Sequence, residues 1–316
     1  MKYRKLGNCG SKVSVIGFGS WLTIGGMVDR KTASSLIRTA FDNGINFFDT
    51  ADVYSGGESE KFLGKALSEF RRKDLFLASK CYWPVSDNIN DRGLSRKHVF
   101  ESVEESLRSL KTDYIDLYQC HRYDSETPVE ETCRAFNSLI EQGKILYWGV
   151  SEWTKNNIAE AVTVCRKFNL HAPVSNQPQY SLLYRDIEKN GVMDYCTRNG
   201  IGQIVWSPLA QGVLTGKYNG KKAAKDTRLG NEKYNVFVKK IASAENLKKV
   251  DKLIDIAGKL NTTPSCLALS WCLRKEIISS TITSATKSEQ LKENLKAGDF
   301  EIPAEIIKKL DEIFKK

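Results

Sequence analysis

Three observations predict that this chain folds as a closed barrel of parallel strands, each followed by a helix. Eight short β-branched or aromatic runs recur along it, and longer stretches with 3.6-residue apolar spacing separate them. The competing open, doubly wound sheet would want a GxGxxG turn after its first strand, and GFGSWL lacks the third glycine. A helical crossover returns the chain to the same end of a sheet, so the strands run parallel, and eight such units close most economically into a (β/α)8 TIM barrel.

The predicted strands are, in order, SVIGFGS (14–20), INFFD (45–49), LFLASK (75–80), YIDLYQC (114–120), ILYWGV (145–150), PVSNQ (173–177), GQIVWS (202–207) and SSTITS (279–284). Between them lie helical patterns such as RKTASSLIRTAFDNG, VEETCRAFNSLIEQG and TKNNIAEAVTVCRKFN, which close on glycine or asparagine as helix C-termini tend to. Ahead of the first unit, MKYRKLGNCGSKVSV reads as a β-hairpin around Gly7 to Gly10 that closes the barrel floor. The polar run GKYNGKKAAKDTRLGNEKYN (216–235) is too long for an ordinary connection and reads as a functional loop. The whole chain, 1–316, is read as one barrel domain.

Composition narrows the class. Hydrophobic residues at 41%, aromatics at 10% and seven prolines describe a globular chain. No apolar core of signal-peptide length stands at the N-terminus and no run approaches the ~18 apolar residues of a membrane span, so a cytoplasmic protein without membrane insertion is expected. The eight cysteines are scattered without CxxC pairs, which argues for reduced thiols rather than a disulfide framework or zinc site. None of the three histidines, His98, His121 and His171, has ligand spacing, so no metal is expected. The net charge of +10 is spread over lysines with acids nearby, as in SRKHVFESVEESLRSLKTD, which is a solvated surface rather than a nucleic-acid patch. It favours a polyanionic small ligand.

Chemistry in such a barrel belongs at the C-terminal ends of the strands. Asp49 ends the second strand, Lys80 the third, His121 follows the fourth, and Tyr54 sits in the short loop after Asp49. Each alone has a plain structural explanation; their placement on consecutive strand ends is what singles them out. A tyrosine releases its proton near pH ~10, and a neighbouring ammonium lowers that value. Lys80 would supply the ammonium, Asp49 would keep it charged, and His121 would hydrogen-bond a substrate oxygen. The set suits protonation of an oxygen that becomes negative during reaction.

The motifs GFGSW, GINFFDTADVYSGGESEKFLGKAL, SKCYW, SLRSLKTDYIDLYQCHR, GKILYWGVSEW, SNQPQYSLL, WSPLAQGVLTGKY and SATKSEQLKENL, taken in order, resemble those of the aldo-keto reductases along essentially the full chain. The resemblance implies hydride transfer from NADPH to an aldehyde or ketone, with Tyr54 as proton donor, Asp49 and Lys80 as the pair that tunes it, and His121 orienting the carbonyl. It implies that Ser151 and Gln177 hold the carboxamide, that Trp206 stacks on the nicotinamide, and that Ser20, Trp21 and Asp49 border it. Ser207, Leu209, Gln211 and Gly212 would follow the pyrophosphate, Lys217 and Arg228 would meet phosphate charge, and Thr286, Gln290, Glu293 and Asn294 would surround the adenosine. Trp21, Tyr54, Trp83 and His121 would line the substrate pocket and favour aromatic or apolar carbonyls.

NADPH is expected over NADH because Lys217, Arg228 and Lys287 can pair with an extra phosphate. The chain departs from the common family pattern at Gln290, where many members carry arginine, and at Glu152, which replaces an asparagine beside Ser151. By its motifs GLSRKH, YWGVSEW, WSPLAQG and EQLKEN it is most similar to the beta subunits of voltage-gated potassium channels. That branch implies a homotetramer and an alternative role as a cofactor-binding sensor on a channel. His121 in place of that branch's asparagine, and a chain that starts almost at the first hairpin, weigh against a channel partner and for a working reductase.

Overall fold

The computed structural model describes residues 1–220, 223–225 and 227–315. An antiparallel hairpin, β1 (Tyr3–Lys5) and β2 (Lys12–Ser14), precedes the barrel. The barrel strands are β3 (Ile16–Gly19), β4 (Phe47–Asp49), β5 (Phe76–Cys81), β6 (Ile115–Cys120), β7 (Ile145–Ser151), β8 (Ser175–Gln177), β9 (Gly202–Val205) and β10 (Ile278–Thr283). All pair in parallel, and β10 bonds both β9 and β3, so no edge is left open.

Each strand leads into the helical layer: α1 (Arg30–Asp42), α2 (Glu58–Leu67), α3 (Arg96–Leu110), α4 (Val129–Glu141), α5 (Lys155–Lys167), α6 (Val192–Asn199), α7 (Ala244–Lys259), α8 (Pro264–Leu273), α9 (Ser288–Leu295) and α10 (Ala304–Ile313). The side chains of Asp29, Ser95, Thr154, Ser243 and Thr263 cap α1, α3, α5, α7 and α8, each accepting from a backbone N–H in the first turn. In α8 every residue from Cys266 to Leu273 is buried, because β10, α7 and α9 pack around it, and its sequence CLALSWCL is correspondingly apolar on all faces. Among the described residues, no helix is long and apolar enough to cross a membrane.

The strand centres fall where the sequence places them, and the differences lie at the ends. Ser14 belongs to the hairpin, opposite Tyr3, and the first barrel strand starts at Ile16. Asn46 is held out of β4 because its side chain accepts from Ser14 N (2.8 Å) and donates to Lys12 O (3.0 Å), stitching hairpin to barrel. Ser207 adopts a left-handed φ of +56°, which takes the chain out of β9.

The hairpin closes the floor as expected. Gly7, at φ +58°, lies so near the starts of β8 and β9 that a Cβ there would come within 2.3 Å of Gly200 O. Leu6 and Val13 pack with Phe47, Phe76, Leu117 and Ile204 in an apolar interior layer. The opposite, C-terminal mouth carries the polar interior residues Asp49, Lys80, Gln119, Ser151 and Gln177.

Candidate active site

β4 delivers Asp49 and β5 delivers Lys80 to the same mouth, and the loop after Asp49 is stitched back onto β5 by Thr50 N to Ala78 O (2.9 Å) and Asp52 N to Lys80 O (3.2 Å). The Lys80 ammonium, fully buried, donates to Asp49 Oδ1 at 2.6 Å and to Thr50 O at 2.7 Å, and lies 3.4 Å from the Tyr54 hydroxyl. Burial works to discharge the lysine, but the Asp49 carboxylate and Tyr54 oxygen outweigh it and its pKa stands above the ordinary value. The other Asp49 oxygen accepts from Gln177 Nε2 at 2.9 Å and Gln119 Nε2 at 3.4 Å, so the carboxylate is satisfied on both sides.

Tyr54 opens a 3-10 turn (Tyr54–Gly57) in which Ser55, Gly56 and Gly57 take positive φ, reversing the chain into α2. One expectation is corrected here. The neighbouring ammonium does pull the phenol down, but burial pushes it up by more and Asp49 adds to the rise, so the Tyr54 pKa is raised. Tyr54 is a neutral phenol at neutral pH, and Lys80 is positioned to stabilise the phenolate left when the proton departs.

His121 follows β6, with its N–H bonded to Cys81 O at 2.9 Å and its ring 5.6 Å from the Tyr54 ring at 75°. Burial, then Lys80 and Arg122, hold its pKa well below the usual value, so the imidazole is neutral. Its Nδ1 is buried with no partner among the described residues.

The mouth opens into a cleft of about 970 Å³. On the β3–β6 side it is lined by Trp21, Asp49, Tyr54, Trp83 and His121, with Ser151 and Gln177 after β7 and β8. Trp206, Ser207, Leu209, Gln211 and Gly212 continue it, then Lys217 and Arg228 from the long loop, and Thr286, Gln290, Glu293 and Asn294 around α9. Ser20 and Lys80 lie beneath this surface; the Ser20 hydroxyl donates to Thr50 Oγ1 at 2.9 Å. Lys287 is exposed and outside the lining.

The segment after β9 is a run of tight turns along the cleft, in which Ala210 N bonds Ser207 O and Gly212 N bonds Leu209 O, each at 2.9 Å. Ser207, Ala210, Gln211 and Gly212 all have positive φ, and Gln211 N and Nε2 both donate to Ser207 Oγ, at 3.2 and 2.8 Å. The Lys217 ammonium lies so close to Gly212 that a Cβ there would sit 2.9 Å from it. The partly buried Arg228 guanidinium donates to Gln211 Oε1 and has no carboxylate within ion-pair distance among the described residues. In the long loop, Lys221, Lys222 and Asp226 lie outside the described residues.

The Glu152 departure has a local explanation. At φ +58°, Glu152 lies outside the cleft lining, and its Oε1 accepts from Trp206 Nε1 (2.8 Å) and Gln179 N (2.5 Å). It fixes the indole rather than facing the cleft. Trp206 in turn meets Trp21 edge-on at 6.1 Å, and Trp21 meets Phe237 at 5.3 Å.

Among the lining or supporting residues that sequence reasoning missed are Gln119, Arg122, Thr263 and Phe237. Gln119 was findable, since it pairs in register with Lys80 across β5 and β6 and period-2 alternation puts it on the same face. Thr263, whose hydroxyl donates to Glu293 at 3.0 Å, comes from a helix cap with no local mark of a site.

A (β/α)8 barrel with this cluster at its mouth and a cleft running outward from it has the form of a barrel oxidoreductase. The chain belongs to the aldo/keto reductase family, whose profile matches residues 15–315. A protein of Arabidopsis thaliana described as a probable voltage-gated potassium channel subunit beta is 42% identical over 301 residues, covering 95% of this chain and 92% of the relative. A similarly described protein of Oryza sativa subsp. japonica is 40% identical over the same coverage, and a putative beta subunit of Schizosaccharomyces pombe is 40% identical over 320 residues, 98% of this chain and 92% of the relative.

Proposed function

We propose that this protein reduces aldehydes or ketones to alcohols with NADPH, Tyr54 giving the proton. The observation that carries the reading is the buried Lys80 ammonium, bonded to Asp49 at 2.6 Å and 3.4 Å from the Tyr54 hydroxyl. A cation so placed does little for a neutral phenol and much for the phenolate, which is the preference a proton donor needs.

The residues present fit a dinucleotide phosphate. Trp206 offers a ring held by Glu152, the turns of 207–212 line the cleft beside it, and Arg228, which donates to the neutral Gln211 amide and has no carboxylate within ion-pair distance among the described residues, offers a partly buried positive charge. Lys217 adds a second cation and makes NADPH the better fit than NADH. When bound, the nicotinamide supplies hydride to the carbonyl carbon. The chain's part is to hold the carbonyl oxygen between the Tyr54 hydroxyl and the neutral His121 ring and to pass the phenol proton to that oxygen as charge develops there. The proton is restored from solvent between turnovers.

The relatives' names, which describe voltage-gated potassium channel beta subunits, support a second reading, in which the protein associates with a channel and a bound NADPH serves as a sensor rather than as a hydride source. NADPH oxidation followed with a panel of aromatic aldehydes, ketones and quinones separates the two. Consumption supports the reductase; tight NADPH binding with no consumption by any of them shifts the reading to the sensor.

A further inference from the structure

Arg122 follows His121 at the mouth, lines the cleft, and is used by neither the tetrad nor the phosphate-facing loop. Its guanidinium donates through Nη1 to His121 O and, at 3.4 Å, to Ser151 Oγ. Among the described residues Nε and Nη2 have no acceptor, and no carboxylate lies within ion-pair distance of the group. The acid two residues on does not serve it, because Asp124 accepts from Leu94 N, Glu126 N and Thr127 Oγ1. Asp49, which also lines the cleft, is committed to Lys80 and the two glutamine amides.

A partly buried arginine with spare donors on one side and only neutral acceptors on the other is arranged to take a planar anion, for which its fork geometry is suited. Beside it, 5.6 Å from the guanidinium carbon, stands the Trp83 ring, which is 39% exposed and meets His121 edge-on at 6.3 Å. The mouth therefore combines an apolar wall with a cation a short step from the Tyr54 and His121 donors. A carboxylate there would replace no existing protein contact, whereas a neutral substrate would leave the guanidinium donors unanswered.

Resting on the reductase reading, we propose that Arg122 sets substrate preference and that the favoured substrates are aromatic aldehydes carrying a carboxylate on the ring. Arg122 acts on the distal anion and not on the reacting carbonyl, so its contribution is to binding of one substrate class over another.

The test compares kcat/KM for 4-formylbenzoate and benzaldehyde in the wild type, Arg122→Met and Arg122→Lys. The wild type is expected to favour 4-formylbenzoate, with a preference that shrinks as salt is raised. Arg122→Met is expected to cut that ratio at least tenfold through KM of the carboxylated substrate, and Arg122→Lys to keep part of it. An unchanged ratio in Arg122→Met, or a parallel loss for both substrates together with NADPH affinity, overturns the proposal. Should the wild type reduce neither aldehyde, the reductase reading falls and Arg122 is judged by calorimetry of benzoate binding to the NADP⁺-loaded protein. Benzoate binding at least tenfold weaker in Arg122→Met supports anion recognition at this position, and equal binding refutes it.

Discussion

The Lys80 ammonium and the Asp49 carboxylate meet at 2.6 Å with almost no exposure of either side chain. Such a pair is costly to break from one side, because the remaining charge is left buried. Asp49→Asn is expected to lower stability by about 3–5 kcal/mol in denaturant unfolding. The same variant should show a steep fall in kcat, since a lysine without its carboxylate yields to burial and loses its proton. Full stability in Asp49→Asn would mean that the buried pair does not contribute to holding the mouth together.

A second acid layer lies behind the tetrad. Asp52 accepts from Ser102 Oγ (2.8 Å), which in turn accepts from the Tyr118 hydroxyl (3.0 Å), while Glu60 accepts from Ser79. Burial pushes Asp52 up to about 8, with Glu60 adding to the rise, and burial pushes Glu60 up to about 7. Unfolded carboxyls release their protons near pH ~4, so between there and pH 7–8 the folded protein holds more protons and stability falls as pH rises. Glu60→Gln removes one such group. Relative to wild type, its Tm should rise between pH 5 and pH 8, on the order of 1–3 kcal/mol of relative stabilisation; a difference independent of pH would contradict the assignment.

Glu152→Ala should free the Trp206 indole and loosen the turn at Gln179, weakening NADPH binding and shifting tryptophan emission. Glu152→Gln retains an oxygen that can accept from both donors and should stay close to wild type in both readouts. Equal behaviour of the two variants in fluorescence titration would remove Glu152 from the platform.

Lys217→Ala should weaken NADPH by roughly tenfold, about 1.4 kcal/mol, while affecting NADH less, if the lysine meets the extra phosphate. Parallel losses for both cofactors in equilibrium titrations would place it on the pyrophosphate instead.

The barrel was legible because parallel strands are buried on both faces and read as short apolar runs, and because the helices between them fix their direction. Their ends were less so: Asn46 and Ser14 look like strand residues until the hairpin claims them. At the site, the convergence of Asp49, Lys80, Tyr54 and His121 followed from strand order alone. The sign of the Tyr54 shift did not, because sequence names the neighbouring ammonium but not the depth of burial that outweighs it. Arg122 was passed over because it follows His121 in a loop, where no periodicity says which way a side chain turns.

Proton donation by Tyr54, with Lys80 stabilising the phenolate left behind, is tested by single-turnover reduction of a benzaldehyde by Tyr54→Phe with saturating NADPH. NADPH binding is expected near the wild-type value, since Trp206 and the 207–212 segment are untouched, with a fall in the reduction rate of at least 10²-fold. Reduction at the wild-type rate in that variant would contradict proton donation by Tyr54.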